Sequence, residues 1–339
     1  MMDGMEGAQL CFPQLLNSSC RGLLRPRTES ILLYTLLSSI AVLTVLLNLL
    51  VIISISHFAQ LHTPTNLLLL SLAISDLLVG LLVMPSEMVS VIETCWLLGD
   101  LLCTLFSVLS FTLTSASVGN MVLISIDRYV AICYPLQYPI QITRSRIELC
   151  VCVCWSASVL YNGLILKDHL RQPDRDNSCD GECKVVINNV SGAIDVVLTF
   201  FAPCSVIVVL YVRVFTVAVS QARVGSHFTA VVSVKVTAKK SERKAARTLG
   251  MVILVFLISF CPFYYPALAG QEISNNASSW VIVSWLLFFN SCLNPLIYAL
   301  FYPWFRKAIK LILNNKLMLK SSSSGMRPRS SNFCNREHK

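Results

Sequence analysis

Charge is what this chain has least of: Asp, Glu, Lys and Arg together make up 13% of its 339 residues, against 55% that are hydrophobic. A water-soluble domain carries about a quarter of its residues as charges, so that class is excluded. Histidine is scarce too. His57, His62, His169, His227 and His338 are scattered with no metal-ligand spacing, and no nucleophile–base arrangement accompanies them, so an integral-membrane enzyme has no visible machinery. Internal repeats are missing, as is any relay of acids and bases through several spans, which argues against a transporter or pump. No lysine sits in the last apolar run to hold retinal. The start, MMDGMEGAQL, lacks a basic segment leading into an apolar core, so no cleavable signal peptide is visible and the first apolar run must act as the entry signal.

What is abundant is long apolar sequence, with a mean hydropathy of +0.67. Seven runs have the length a bilayer requires: roughly Ile31–Ser56, Asn66–Ile92, Leu101–Cys133, Glu148–Leu166, Asn189–Ser220, Thr248–Ala269 and Ser279–Tyr302. The reading is an all-α integral membrane protein, a seven-helix bundle over residues 31–302, preceded by an N-terminal segment 1–30 and followed by a tail 303–339. The tail opens with Trp304-Phe305-Arg306-Lys307-Ala308-Ile309-Lys310-Leu311-Ile312, a basic amphipathic stretch suited to the inner membrane face, and from Ser321 becomes serine-rich, without core-forming content but with candidate phosphosites.

Basic residues set the orientation. The fifth-to-sixth connection holds Arg223, Lys235, Lys239, Lys240, Arg243, Lys244 and Arg247, and the tail begins Arg306-Lys307, so that side is cytoplasmic and the N-terminus is expected outside. The net charge of +9 is mostly this bias, not a nucleic-acid footprint. Asn17-Ser18-Ser19 is then an outward glycosylation sequon; the sequons at Asn189 and Asn276 hug a span and are weaker. Cys11, Cys20, Cys95, Cys103, Cys179 and Cys183 fall in the oxidising compartment, where bridges persist. A bridge from Cys103 would lash the fourth-to-fifth loop over the bundle, and by position Cys179 and Cys183 both qualify.

The polar residues inside the runs are few and therefore informative. An acid at mid-membrane costs about 2.5–3.5 kcal/mol on insertion scales, so Asp76 must face the interior with partners. Glu87 lies eleven residues beyond it, which at 100° per residue returns it to within about 20° of the Asp76 face, with Pro85 disturbing the phase. Glu87 then looks into an outer cavity or reaches the interface. Asp195 stands among apolar neighbours, far from Arg213, the nearest Arg or Lys in its span, and is a functional-site candidate; the plain alternative is a hydrogen bond to a Ser or Thr of a neighbouring helix. Phe256, Phe260, Phe263, Tyr264, Tyr265, Trp285, Phe288 and Phe289 gather on the last two spans, able to wall a pocket and hold a cation against ring faces. Pro203, Pro262 and Pro295 fall mid-span and predict kinks.

Asn48, Leu72-Ala73-Ile74-Ser75-Asp76, Cys103, Asp127-Arg128-Tyr129, Trp155, Pro203 with Tyr211, Pro262, and Asn294-Pro295-Leu296-Ile297-Tyr298 follow one another in order, and the chain resembles rhodopsin-like G-protein-coupled receptors along nearly all its length. More narrowly, NSCLNPLIYALFYPWF from Asn290 to Phe305, with His62-Thr63-Pro64-Thr65-Asn66 and Cys95-Trp96, is similar to trace amine-associated receptors. The resemblance implies that Arg128 pairs with Asp127 and with Glu242 at the foot of the sixth helix, with Tyr129, Tyr211, Asn294, Pro295 and Tyr298 in the same G-protein switch. It implies a buried network of Asp76, Asn48, Ser117, Asn290, Ser291 and Asn294, often holding a sodium ion in the family and otherwise needing no cofactor. It implies bridges Cys103–Cys183 and Cys20–Cys179.

Two departures stand out. Ser110 occupies the third-helix position where aminergic receptors carry the ammonium-binding Asp, and Phe260 replaces the usual sixth-helix tryptophan. Asp195, though, holds a fifth-helix position that supplies an amine-binding acid in some fish members. The expectation is an inverted pocket: Asp195 pairs with the amine, Ser110, Phe111, Thr114 and Thr199 shape the cavity, Phe260, Phe263, Tyr264 and Phe288 enclose the organic part, and Glu87 is a second anchor. The resemblance further implies a plasma-membrane olfactory receptor coupled to a stimulatory G protein and cAMP, with arrestin and kinases at the tail. The rival reading keeps the receptor but gives it a non-amine ligand.

Overall fold

In the computed structural model, residues 8–23, 25–172, 177–185, 187, 189–224, 250–251, 254–265, 277–301 and 305–312 are described. They include seven apolar helices. The first is Arg27–His57, the third Asp100–Cys133 and the fourth Arg144–Ile165. The second runs Pro64–Glu93 and the fifth joins Asn189–Asp195, Val196–Phe201 and Ala202–Val224. The sixth is described over Leu254–Tyr265 and the seventh over Ala277–Phe301. A further helical stretch covers 305–312, with Phe305 and Ala308 buried and Arg306, Lys307 and Lys310 outside, the amphipathic pattern expected of it.

The burial pattern is inverted relative to a water-soluble protein. On the fourth helix Leu149, Val153, Leu160 and Leu164 are 59–69% exposed, whereas Asn48, Asp76, Asn120 and Asn294 are fully buried. Lipid can solvate the leucines but not the amides, so polar groups turn inward to find one another. The third helix is the axis of the bundle and packs against the second, fourth and fifth. Its approach to the fourth depends on Gly119, where a Cβ would come within 2.4 Å of Cys154 Sγ. Asn162 Nδ2 donates to Ser115 Oγ at 3.0 Å on the same seam, and Trp155 Nε1 reaches across to Ser71 Oγ on the second helix at 3.0 Å.

The helix boundaries follow local rules. Thr63 caps the second helix, its Oγ1 accepting from Asn66 N at 3.3 Å with Pro64 in the first turn, and Thr94 at φ 54° ends it. Pro85 disturbs the phase as expected, but the break lies in the turn before it. Pro85 itself sits comfortably in the first turn of Met84–Glu93, and the irregularity precedes it as a π-helical turn, Val79–Val83, in which Met84 N–H donates to Val79 O. A proline ring clashes with the carbonyl four residues back, and a widened turn relieves the clash. The slip of about one residue rotates Glu87 by about 100° from the phase counted from Asp76, so the two acids do not share a face. Pro203 follows the same pattern, with a π turn at Val196–Phe201 ending two residues before it. Pro295 lies inside a continuous helix.

At one end of the bundle, strands Ala8–Leu10 and Arg21–Leu23 form an antiparallel ribbon held down by two disulfides, and a third ties the fourth-to-fifth loop to the third helix. Cys103–Cys183 and Cys20–Cys179 agree with the pairs the resemblance implied. The remaining one, Cys11–Cys95, had no assigned pairing and fastens the ribbon to the end of the second helix. Backbone bonds Cys20 N to Asp180 O at 2.9 Å, Asp180 N to Ser18 O at 2.7 Å and Trp96 N to Gly181 O at 2.8 Å weave the three segments into one cap. Bridges across chain separations of 80–159 residues each contribute on the order of 4 kcal/mol in the loop-closure picture.

The Gly119 seam yields a direct test. Gly119→Leu should cost about 1–3 kcal/mol or more through overpacking and reduce the surface-expressed fraction severalfold, while Gly119→Ala combined with Cys154→Ala should recover most of the loss of Gly119→Ala alone, both measured by surface immunostaining.

Candidate functional site

The middle of the bundle is organised by Asp76. Its Oδ1 accepts from Ser291 Oγ at 2.8 Å and from Ser117 Oγ at 3.5 Å, and its Oδ2 accepts from Asn294 Nδ2 at 2.9 Å. Asn48 joins from the first helix by donating to the Ser291 carbonyl at 3.0 Å, and Ser75 Oγ lies 3.0 Å from Ser117 Oγ. Four helices therefore converge on one carboxylate. Asn48 Oδ1, Asn290 Oδ1 and Asn294 Oδ1 are buried and have no hydrogen-bond partner among the described residues. Amide oxygens beside a carboxylate are the donor set of a hard cation such as sodium, so these residues fit that ion chemically.

Toward the end opposite the disulfides, Asp127 gathers a second cluster. Its Oδ2 accepts from Arg128 Nε at 2.8 Å, from Arg128 Nη2 and from Thr65 Oγ1 at 2.9 Å; its Oδ1 accepts from the Tyr138 hydroxyl at 2.9 Å. Arg128 Nη2 also donates to Thr65 Oγ1. Burial, opposed by the bond with Thr65 and aided by the Asp127 charge, pushes the Tyr138 phenol up, so it stays protonated as the donor. Thr65 entered the sequence reading only as part of the His62–Asn66 motif and Tyr138 not at all: one sits in a helix start and the other in a loop helix, Tyr138–Gln141, joined to Asp127 only by the fold. Tyr129 meets Tyr134 edge-on at 5.7 Å. Tyr211 places its hydroxyl where a Cβ on Gly250 would stand, 2.2 Å away, so the fifth and sixth helices touch at a glycine. Glu242 and the Tyr298 side chain lie outside the described residues.

The third region lies under the cap. Asp195 is 9% exposed, and Tyr161 of the fourth helix donates to its Oδ1 at 3.0 Å. Thr199, one turn on, donates to the Asp195 carbonyl at 2.6 Å and lies 2.8 Å from the Tyr264 hydroxyl of the sixth helix. Tyr264 stacks on Phe200 at 4.7 Å and meets Phe263 edge-on; Phe260 packs on Phe256 at 4.2 Å, and Phe288 on Trp285 at 6.2 Å. Ser110, Phe111 and Thr114 are half-buried on the third helix. Among the described residues no Lys, Arg or His side chain forms an ion pair with Asp195. Tyr161 was missed because an aromatic hydroxyl in an apolar run carries no periodic signal. The partner of Asp195 is thus a tyrosine, where the plain alternative had expected a serine or threonine.

A seven-helix membrane bundle with a disulfide-lashed cap, a polar core at Asp76 and an Arg128–Asp127 lock has the architecture of a transmembrane receptor. The family model for the 7 transmembrane receptor (rhodopsin family) matches residues 47–298. Trace amine-associated receptor 13c of Danio rerio is 39% identical over 331 residues, covering 94% of this chain and 96% of that relative. Trace amine-associated receptor 6 of Pan troglodytes is 40% identical over 332 residues, with the same coverages, and trace amine-associated receptor 8b of Rattus norvegicus is 38% identical over 330 residues, covering 93% and 95%. The chain belongs to the rhodopsin family of seven-transmembrane receptors and, within it, to the trace amine-associated receptors. It is therefore a multi-pass plasma-membrane receptor with a small-molecule ligand and a G protein as partners, and not an enzyme.

The Asp76 hub makes a measurable claim. Asn294→Ala strips a donor from a buried carboxylate and should destabilise the purified receptor by about 1–3 kcal/mol, seen as a lower thermal midpoint in detergent; Asp76→Asn with Asn294→Ala should be less destabilised than additivity predicts.

Proposed function

We propose that the chain is a receptor for a small amine, whose ammonium pairs with Asp195 of the fifth helix, and that it signals through a stimulatory G protein that raises cAMP. The observation that carries this reading is a buried carboxylate without a cationic partner among the described residues, set beside an aromatic cluster under the cap. Tyr161 engages Oδ1, which orients the carboxylate and directs Oδ2 toward the ligand. At an effective dielectric near 20, an ion pair at 4 Å gains about 4 kcal/mol before desolvation, enough to decide whether an amine is recognised. Ser110 offers a hydroxyl where an acid would compete for the same cation. Ser110, Phe111, Thr114 and Thr199 shape the cavity, and Phe260, Phe263, Tyr264 and Phe288 enclose the organic part.

Recognition reaches the inner side through packing. Thr199 ties the ligand-binding stretch of the fifth helix to Tyr264 of the sixth, so a ligand drawn onto Asp195 pulls on both helices. Below them, Arg128 leaves Asp127 and Glu242 as the G protein enters, with Tyr211, Asn294, Pro295 and Tyr298 in the same rearrangement. Asp76, Ser117, Asn290 and Asn294 would hold a sodium ion, which supplies a positive charge that favours the resting packing. The N-terminus is extracellular, with Asn17, exposed in a turn, glycosylated. Olfactory neurons are the site of action, and arrestin and kinases act at the serine-rich tail.

Asp195→Asn keeps the size of the side chain and removes its charge. Cells expressing it should need about a hundredfold more amine for a cAMP response, or give none, at equal surface expression; an unchanged response would overturn the reading and favour a neutral or acidic ligand, tested with carboxylic acids and esters. At the inner lock, Tyr138→Phe and Thr65→Val each remove a bond holding Asp127, and both should raise basal cAMP severalfold without ligand.

A further inference from the structure

At the end opposite the disulfides, a polar group lies on the outside of the bundle, along the seam between the third and fifth helices. Val214 of the fifth helix is fully buried against Ile132 of the third, with Tyr129, Cys133 and Val217 packed around the pair. Arg213, the residue before Val214, stays exposed beside this contact, and its charge bears on the Tyr129 hydroxyl and the Cys133 thiol. The Tyr129 hydroxyl in turn lies 3.5 Å from that of Tyr134, which is 46% exposed just past the end of the third helix. None of these three side chains bonds to the Asp127 cluster, whose donors are Arg128, Thr65 and Tyr138. Among the described residues Arg213 joins no ion pair, and the two phenols bond only to each other.

Depth decides what can reach this group. At 1.5 Å per residue the fifth helix covers about 36 Å from its start at Asn189 to Arg213, against about 30 Å of hydrocarbon, so the guanidinium stands at the level of the lipid headgroups. Val209, Val212 and Phe215 are 53–58% exposed, an apolar face that acyl chains cover. At about 100° per residue Arg213 falls between Val212, which faces lipid, and Val214, which faces the third helix, so it stands at the edge of the seam. A guanidinium offers a fork of N–H donors and each phenol one O–H donor, with no negative charge among them. That is a donor set for an oxyanion. A phosphate monoester presents three free oxygens and up to two negative charges, enough to take the fork and both hydroxyls; a carboxylate has two oxygens and one charge.

We infer that Arg213, Tyr129 and Tyr134 form a binding site for a phosphate monoester carried by an anionic lipid of that leaflet, phosphatidic acid being the simplest. The headgroup bridges Arg213 on the fifth helix to the two tyrosines at the end of the third, a charged link added to the apolar Ile132–Val214 contact. Tyr129 follows Arg128 directly in the chain, so the lipid steadies the helix end that carries the Arg128–Asp127 pair. The inference stands whichever ligand occupies the cavity under the cap.

The test places the purified full-length receptor in nanodiscs of phosphatidylcholine, alone or with about a tenth of the lipid replaced by phosphatidic acid or by phosphatidylserine. Native mass spectrometry counts the lipids retained after release into detergent, and the thermal midpoint is read in the discs. The wild type should retain phosphatidic acid at least about fivefold more often than phosphatidylserine, with a higher midpoint in the phosphatidic acid discs. Arg213→Gln should cut that retention about fivefold, Arg213→Lys should keep part of it, and Tyr134→Phe should lower it about twofold to threefold, while phosphatidylserine changes by less than about twofold. Wild-type retention in Arg213→Gln, or an equal loss of both anionic lipids, would overturn the site. Stabilisation by inorganic phosphate in phosphatidylcholine discs, abolished by Arg213→Gln and unaccompanied by any retention of phosphatidic acid, would overturn the lipid as the source of the phosphate.

Discussion

A carboxylate inside an apolar bundle must be answered by donors, and Asp76 imposes that requirement on four helices at once. Ser291 and Asn294 come from the seventh helix, Ser117 from the third, and Asn48 holds Ser291 in place from the first. Ordinary apolar packing between membrane helices has little specificity, because lipid tails are as good a neighbour as leucine. The Asp76 hub supplies the register that packing lacks. The same logic recurs nearer the inner side, where Asp127 collects Arg128, Thr65 and Tyr138 from three separate segments.

The hub also makes the bundle responsive. A fully satisfied network would lock the helices, but several buried amide oxygens around Asp76 have no donor among the described residues, so the network has room to change partners. The fifth helix holds another adaptable point. Its π turn begins at Val196, directly after Asp195, and contains Thr199, whose hydroxyl faces Tyr264. A π turn is a point where the helix ladder is already stretched, so the fifth helix can take up a small shift at Asp195 without breaking regular structure.

The third helix keeps its central position while giving up the charge expected of it. Cys103 pins the cap at one end and Arg128 pairs with Asp127 at the other, with Ser110 between them carrying no charge. The acids under the cap stand instead on the flanking fifth and second helices. Phe260, fully buried against Phe256, fills the place where an indole is usual and offers a ring without a hydrogen-bond donor.

Local chemistry was sufficient for much of this protein. Seven apolar runs, the basic bias of one side, the interior position of Asp76 and the isolation of Asp195 all follow from the cost of placing charge in hydrocarbon, which acts residue by residue and is therefore legible along the chain. The family motifs added the Cys103–Cys183 and Cys20–Cys179 pairs and the Asp127–Arg128 lock. What the fold alone decided are meetings between distant residues with no periodic trace: Cys11 with Cys95, Tyr161 with Asp195, Thr65 and Tyr138 with Asp127, and Gly119 against Cys154. The π turns at Val79–Val83 and Val196–Phe201 belong to the same class. A count at 100° per residue places Glu87 over Asp76, but the proline two residues beyond the turn is accommodated by widening the backbone before it, and that choice belongs to the packed helix, where the direction of Glu87 is finally set.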